Sequence, residues 1–181
     1  MRASVRLLIA AIAIQPLALR AADSVILETG RSYTRDHSIE VVRLGFAWDW
    51  RRHWALSDRW SLGGYWETSV GHWRGGGRLA PHETWDFTAG PVLRAIRSGD
   101  DGVRPYAEAG LGLHLLSNKR FSDALRSGTQ YQFGLTVGVG VRFGEGGRYD
   151  LGWRVRHLSN AGIRMPNHGV NVSELRLQIA Y

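Results

Sequence analysis

Downstream of residue 22 the chain alternates apolar and polar positions with period two over several long stretches, the mark of strands whose two faces meet different surroundings. Val42, Leu44, Phe46, Trp48 and Trp50 share one parity, and Arg43, Gly45, Ala47 and Asp49 the other. The same pattern sets Ala109, Leu111, Leu113 and Leu115 against Glu108, Gly110, Gly112 and His114, and the odd positions from Tyr131 to Phe143 against Gln132, Gly134, Thr136, Gly138, Gly140 and Arg142. Eight strands are predicted, at roughly 23–30, 39–50, 60–72, 84–94, 104–116, 129–143, 148–158 and 171–181. Shorter connections at 51–59, 98–103 and 144–147 alternate with longer polar ones at 31–38, 74–83, 117–128 and 159–170. An even number of antiparallel strands, with turns at one rim and loops at the other, predicts an all-β, eight-stranded up-and-down barrel.

Alternation alone does not say which face is outside, because a soluble ligand-binding barrel carries the same pattern turned inside out. Residue types favour the membrane. The less apolar face holds many glycines with Arg43, Glu108, Gln132, Arg142, Arg154 and Arg156, a mixture that can pair inside a narrow barrel. The opposite face is nearly all Leu, Val, Phe and Trp, and such a surface needs lipid around it. Trp48, Trp50, Trp54 and Trp60 gather near the first turn as an interfacial girdle would. A soluble lipocalin-like carrier stays as the alternative that extraction without detergent would reveal.

The N-terminus reads differently. Arg2 and Arg6 precede an apolar stretch at 7–19, too short to span a bilayer, and small residues follow at Ala21 and Ala22. The expectation is a signal peptide over 1–21 and a barrel domain over 22–181. Its removal takes away Arg2, Arg6 and Arg20 and no acid, so the formal net charge of +7 falls by three and the mature chain stays basic. With no cysteine, an exported chain of this length must be held by packing and hydrogen bonds alone.

No P-loop, GxSxG elbow, HExxH or zinc-type cysteine spacing occurs. Chemistry concentrates between His157 and Gly169. His157 and Ser159 lie two apart at the end of the seventh predicted strand, so their side chains share a face with Cα atoms about 6.6 Å apart. A serine hydroxyl is a weak nucleophile until a base takes its proton, and a neutral imidazole is the usual base. Counted from Tyr149, Leu151, Trp153 and Val155, His157 falls on the lipid-facing parity. A polar pair at that border costs free energy unless its purpose lies there, although a strand simply leaving the membrane at a wet rim would look the same.

The run His157, Leu158, Ser159, Asn160, Ala161, Gly162, with Pro166, Asn167 and Gly169 behind it, closely resembles the motif of the outer-membrane lipid A 3-O-deacylases, the PagL-like family. The resemblance extends over essentially the whole mature chain, including Phe133 ahead of Gly138 and Gly140. It implies a serine esterase of the bacterial outer membrane that hydrolyses the ester-linked acyl chain at position 3 of lipid A, with its site facing the outer leaflet. Ser159 is then the nucleophile, His157 the general base and Asn160 a neighbour needed for activity. No cofactor and no metal are implied. The partners are lipid A or lipopolysaccharide and the surrounding membrane lipid, not nucleic acid, and a homodimer stays open. A non-catalytic structural or adhesive small barrel is the alternative function.

The match breaks at one position. Better-known members carry a Glu where this chain has Asn171, and the nearest acid is Glu174. Counted back from Tyr181, Asn171 faces lipid with His157, whereas Glu174 faces the lumen beside Arg154 or Arg156. Asn171 is therefore expected to orient the imidazole through its amide oxygen. Asn160, Gly162 and Asn167 are the expected oxyanion donors and supports. Phe133 is placed against acyl chains. Arg164, with rim cations Arg31, Arg35, Arg74, Arg78, Lys119 and Arg120, is placed near lipid A phosphates, a solvated loop surface being the plainer reading of each.

Overall fold

The computed structural model describes residues 21–32, 38–99 and 102–181. The expected signal segment over 1–21, apart from Ala21, and the loop cation Arg35 lie outside the described residues. Eight long strands form the wall: β1 (Ser24–Ser32), β2 (Ile39–Asp49), β4 (Trp60–Gly75), β5 (His82–Arg97), β6 (Arg104–Leu116), β7 (Tyr131–Phe143), β8 (Tyr149–Ser159) and β9 (Val170–Ala180). A short strand, β3 (Trp54–Ser57), extends the β2–β4 turn as a small hairpin on β4, where the alternation had suggested only a connection. Each long strand pairs antiparallel with its sequence neighbour, and β1 closes on β9 from Ser24↔Ala180 to Ser32↔Val172. Closure leaves no unpaired edge in the wall, which lipid would not tolerate.

Side-chain parity sorts the two faces as the residue types require. Leu44, Phe87, Leu113, Leu135, Val137 and Leu177 stand on the exposed outer face. Inside, five arginines meet six carboxylates, all buried. Arg154 Nε binds Glu108 at 2.6 Å, while its Nη1 binds Glu28 at 2.6 Å and Glu67 at 3.0 Å. Arg43 reaches Asp86 at 2.7 Å, and Arg94 bridges Glu108 and Asp150 at 2.7 and 2.5 Å. Each charge is hydrogen-bonded to an opposite one, the condition under which a dry ionic interior is tolerable.

One aromatic departs from the expected pattern. Trp50 does not join the outer girdle. The strand ends at Asp49, the Trp50 N–H turns to Gly64 O at 2.8 Å, and its ring packs edge-on against Trp66 with only 4% exposure. A Cβ on Gly64 would stand 2.5 Å from that ring, so the glycine makes the room.

At the rim where β8 ends, an apolar plug fills the mouth. Phe121 and Leu125, from the β6–β7 loop, fold over Trp73, Leu116, Leu158, Val170 and Val172. Trp73 and Phe121 meet at 5.6 Å between ring centroids. Because Leu158, Val170 and Val172 point into this plug, their neighbours His157, Ser159 and Asn171 are turned outward.

Candidate active site

Ser159 is the last residue of β8 and His157 lies two before it, both half-buried on the outward parity. Adjacent strands present their partners by register. His157 stands opposite Asn171 on β9 and Leu135 on β7, and Ser159 stands opposite Phe133, itself 46% exposed on the lipid side.

The register brings Asn171 Oδ1 to 2.7 Å from His157 Nδ1. An amide oxygen only accepts, so Nδ1 carries the proton and Nε2 keeps its lone pair. Glu174 is elsewhere: fully buried in the lumen, accepting from Arg156 Nε at 2.8 Å. In this structure the imidazole and the Ser159 hydroxyl are not hydrogen-bonded to one another. Catalytic hydrogen bonds commonly tighten only when substrate is present.

Behind the imidazole stands Gly169, a position the sequence marks only as part of the motif. A Cβ there would lie 2.7 Å from His157 Cε1, so glycine is what lets the ring occupy this place. The period-two pattern carried no signal for it, since the contact crosses from a loop to a strand.

The loop after Ser159 is folded around Asn160, which has no exposed surface. Its backbone N–H donates to Asn167 Oδ1 at 2.9 Å, its Nδ2 donates to Arg164 O at 2.6 Å, and its Oδ1 accepts from Gly162 N–H at 3.0 Å. Ala161 and Gly162 have φ of 53° and 77°, and the Ile163 N–H closes the turn on Asn160 O at 3.1 Å. Positive φ is ordinary for Gly162 but costly for Ala161, so the surrounding hydrogen bonds hold it there. The Asn160 and Gly162 donors expected to face an oxyanion are thus engaged within the loop, while the Nδ2 of half-buried Asn167 has no protein acceptor among the described residues.

Across the rim the β6–β7 loop latches onto this segment. Gly128 N–H donates to Pro166 O at 2.6 Å, Ser127 bridges Asn167, and Gln132 Nε2 holds Ser127 Oγ at 2.6 Å. Arg164 is exposed at the loop tip beside Ile163 and Met165. The other rim cations do not all converge: Arg31 is paired with Glu40 at 2.8 Å.

Comparison with known proteins agrees over most of the chain. The family model described as lipid A 3-O-deacylase (PagL) matches residues 40–180. The lipid A deacylase PagL of Pseudomonas aeruginosa is 33% identical over 139 residues, 77% of each protein. That of Bordetella bronchiseptica is 35% identical over 109 residues, 60% of this chain and 57% of that one. The crystal structure of the outer membrane enzyme PagL superposes with a TM-score of 0.77 at 29% identity, covering 87% of this chain and 99% of the other. With a barrel of that form and a family match spanning most of its strands, this chain belongs to the lipid A 3-O-deacylase (PagL) family.

Proposed function

We propose that this barrel is an outer-membrane esterase that removes the acyl chain at position 3 of lipid A, with Ser159 as nucleophile and His157 as general base. The observation that carries the reading is the polar triplet Ser159, His157 and Asn171 displayed on the lipid-facing side of the wall, where an acyl ester in the outer leaflet can reach it. His157 Nε2 takes the Ser159 proton as Oγ attacks the ester carbonyl. The resulting imidazolium is held through Nδ1–H by Asn171 Oδ1, and its Nε2 gives the proton to the sugar oxygen as the acyl C–O bond breaks, so that the sugar leaves as a free hydroxyl and the acyl group stays on Ser159 Oγ. Water, activated by the same imidazole, then releases the fatty acid from Ser159. Asn167 Nδ2 is the candidate oxyanion donor, and Asn160 and Gly162 support it by shaping the loop. Phe133 lies beside Ser159 in register and would line the path of the acyl chain. Asn171 is a positioning residue here, in the place that the family's motif gives to a glutamate.

Ser159→Ala tests the reading. Purified barrel in detergent micelles is incubated with lipid A and the products are read by mass spectrometry. The parent is expected to release one ester-linked acyl chain from position 3, and the variant to release none while migrating as a folded barrel. A parent with no hydrolytic activity would return the chain to the class of structural or adhesive barrels. Release by the variant at the parent's rate would remove Ser159 from the chemistry.

A further inference from the structure

Lys119, Arg120 and Arg126 of the β6–β7 loop and Arg164 of the β8–β9 loop line one open cleft of about 700 Å³ at the outer rim. Among the described residues none of the four forms an ion pair. Asp123, the acid of the same loop, is already held by His82 Nε2 at 2.8 Å and by the Arg78 N–H at 2.7 Å. Arg120 Nε is buried without a hydrogen-bond partner, as are Arg43 Nε and Arg176 Nε in the lumen. Asp123 offsets part of the Arg120 charge, but its carboxylate is already engaged by His82 and the Arg78 N–H, so the four cations keep a positive excess that an entering anion relieves.

The cleft is built into the site rather than hung beside it. Asn160, next to Ser159, holds the Arg164 carbonyl, and the latch from Gly128 to Pro166 and Ser127 to Asn167 fixes the other wall. Guanidinium pairs bind phosphate in a fixed, multidentate geometry, whereas an uncharged sugar offers nothing that requires them.

We propose that this cleft is a phosphate-binding subsite, seating a phosphate on the saccharide of the lipid substrate and so selecting phosphorylated glycolipids for hydrolysis. The proposal rests on the esterase reading above and adds to it the part of the substrate that is recognised outside the acyl chain.

The test compares lipid A carrying its phosphates with the same lipid A after chemical dephosphorylation, using the full barrel in detergent micelles. The parent is expected to favour the phosphorylated lipid by about tenfold or more in kcat/KM, as two or more charge-assisted hydrogen bonds imply. Arg120→Gln/Arg126→Gln brings that ratio toward one, and Arg120→Lys/Arg126→Lys restores part of it. Equal hydrolysis of the two lipids by the parent, or a ratio unmoved in the glutamine variant, overturns the proposal. Millimolar inorganic phosphate separates the sources: competition in the parent but not in the glutamine variant means that phosphate alone fills the cleft, and a retained ratio without competition means that the phosphate must arrive on the lipid. Binding of both lipids to the Ser159→Ala barrel, with and without the arginine substitutions, reads the cleft without hydrolysis. A parent that cleaves neither lipid therefore overturns the esterase reading while the binding ratio still decides the subsite, and equal binding of the two lipids overturns it. Lys119→Gln/Arg164→Gln provides the same ratio if the first pair impairs folding.

Discussion

Replacing Asn171 by alanine deletes the 2.7 Å contact to His157 Nδ1 and leaves the neighbouring register untouched. A neutral hydrogen bond of this kind contributes about 1 kcal/mol net, equivalent to about fivefold in rate when only orientation is lost. The ring then also populates the tautomer with its proton on Nε2, which cannot act as base. Where a triad partner forced that wrong tautomer outright, turnover fell by about 10⁴. Asn171→Ala allows both tautomers, so the expected fall lies between about fivefold and about a hundredfold. Asn171→Asp puts a carboxylate oxygen at the same reach. Charge-assisted bonds are about twice as strong as neutral ones, so the imidazolium formed in the transition state gains about 1 kcal/mol, and the rate rises several-fold. Initial rates of acyl release from lipid A in detergent micelles, normalised to the fraction of barrel that shifts on heating in electrophoresis, measure both. An alanine variant as fast as the parent would show that Asn171 does not orient the base.

Gly169→Ala forces a Cβ to 2.7 Å from His157 Cε1, and the displaced imidazole is expected to lower hydrolysis by about a hundredfold without unfolding the barrel. Glu174→Ala strips Arg156 of its 2.8 Å carboxylate but leaves its 3.1 Å contact with Glu28, and it is expected to cost about 1.5–3 kcal/mol of stability, read by denaturant unfolding, yet hydrolysis by the refolded fraction persists. Loss of activity in folded Glu174→Ala barrel would make the lumen acid part of the site. Arg154→Ala leaves Glu28, Glu67 and Glu108 without their shared cation, and the yield of folded barrel is expected to collapse, whereas a merely local role would leave it intact.

The strands and the sorting of their faces were legible in the sequence because both follow from local alternation: Val42, Leu44 and Phe46 could face only lipid, and Arg43 only a partnered lumen. The same parity separated Asn171 from Glu174, since a strand sends side chains three apart to opposite faces. It failed at Trp50, where the strand ends and the ring takes the space left by Gly64. The short β3 hairpin, too, lies in a stretch without sustained alternation.

The chain alone therefore determined a barrel, its lipid-facing wall and the polar pair at the end of β8, all properties of neighbours in sequence. Tertiary structure decided which contacts bridge separate loops and strands. The Gly169 backing of the imidazole, the spending of Asn160's amide on its own loop, and the gathering of Arg120, Arg126 and Arg164 around one cleft depend on how far apart segments are latched together, and no periodicity records that.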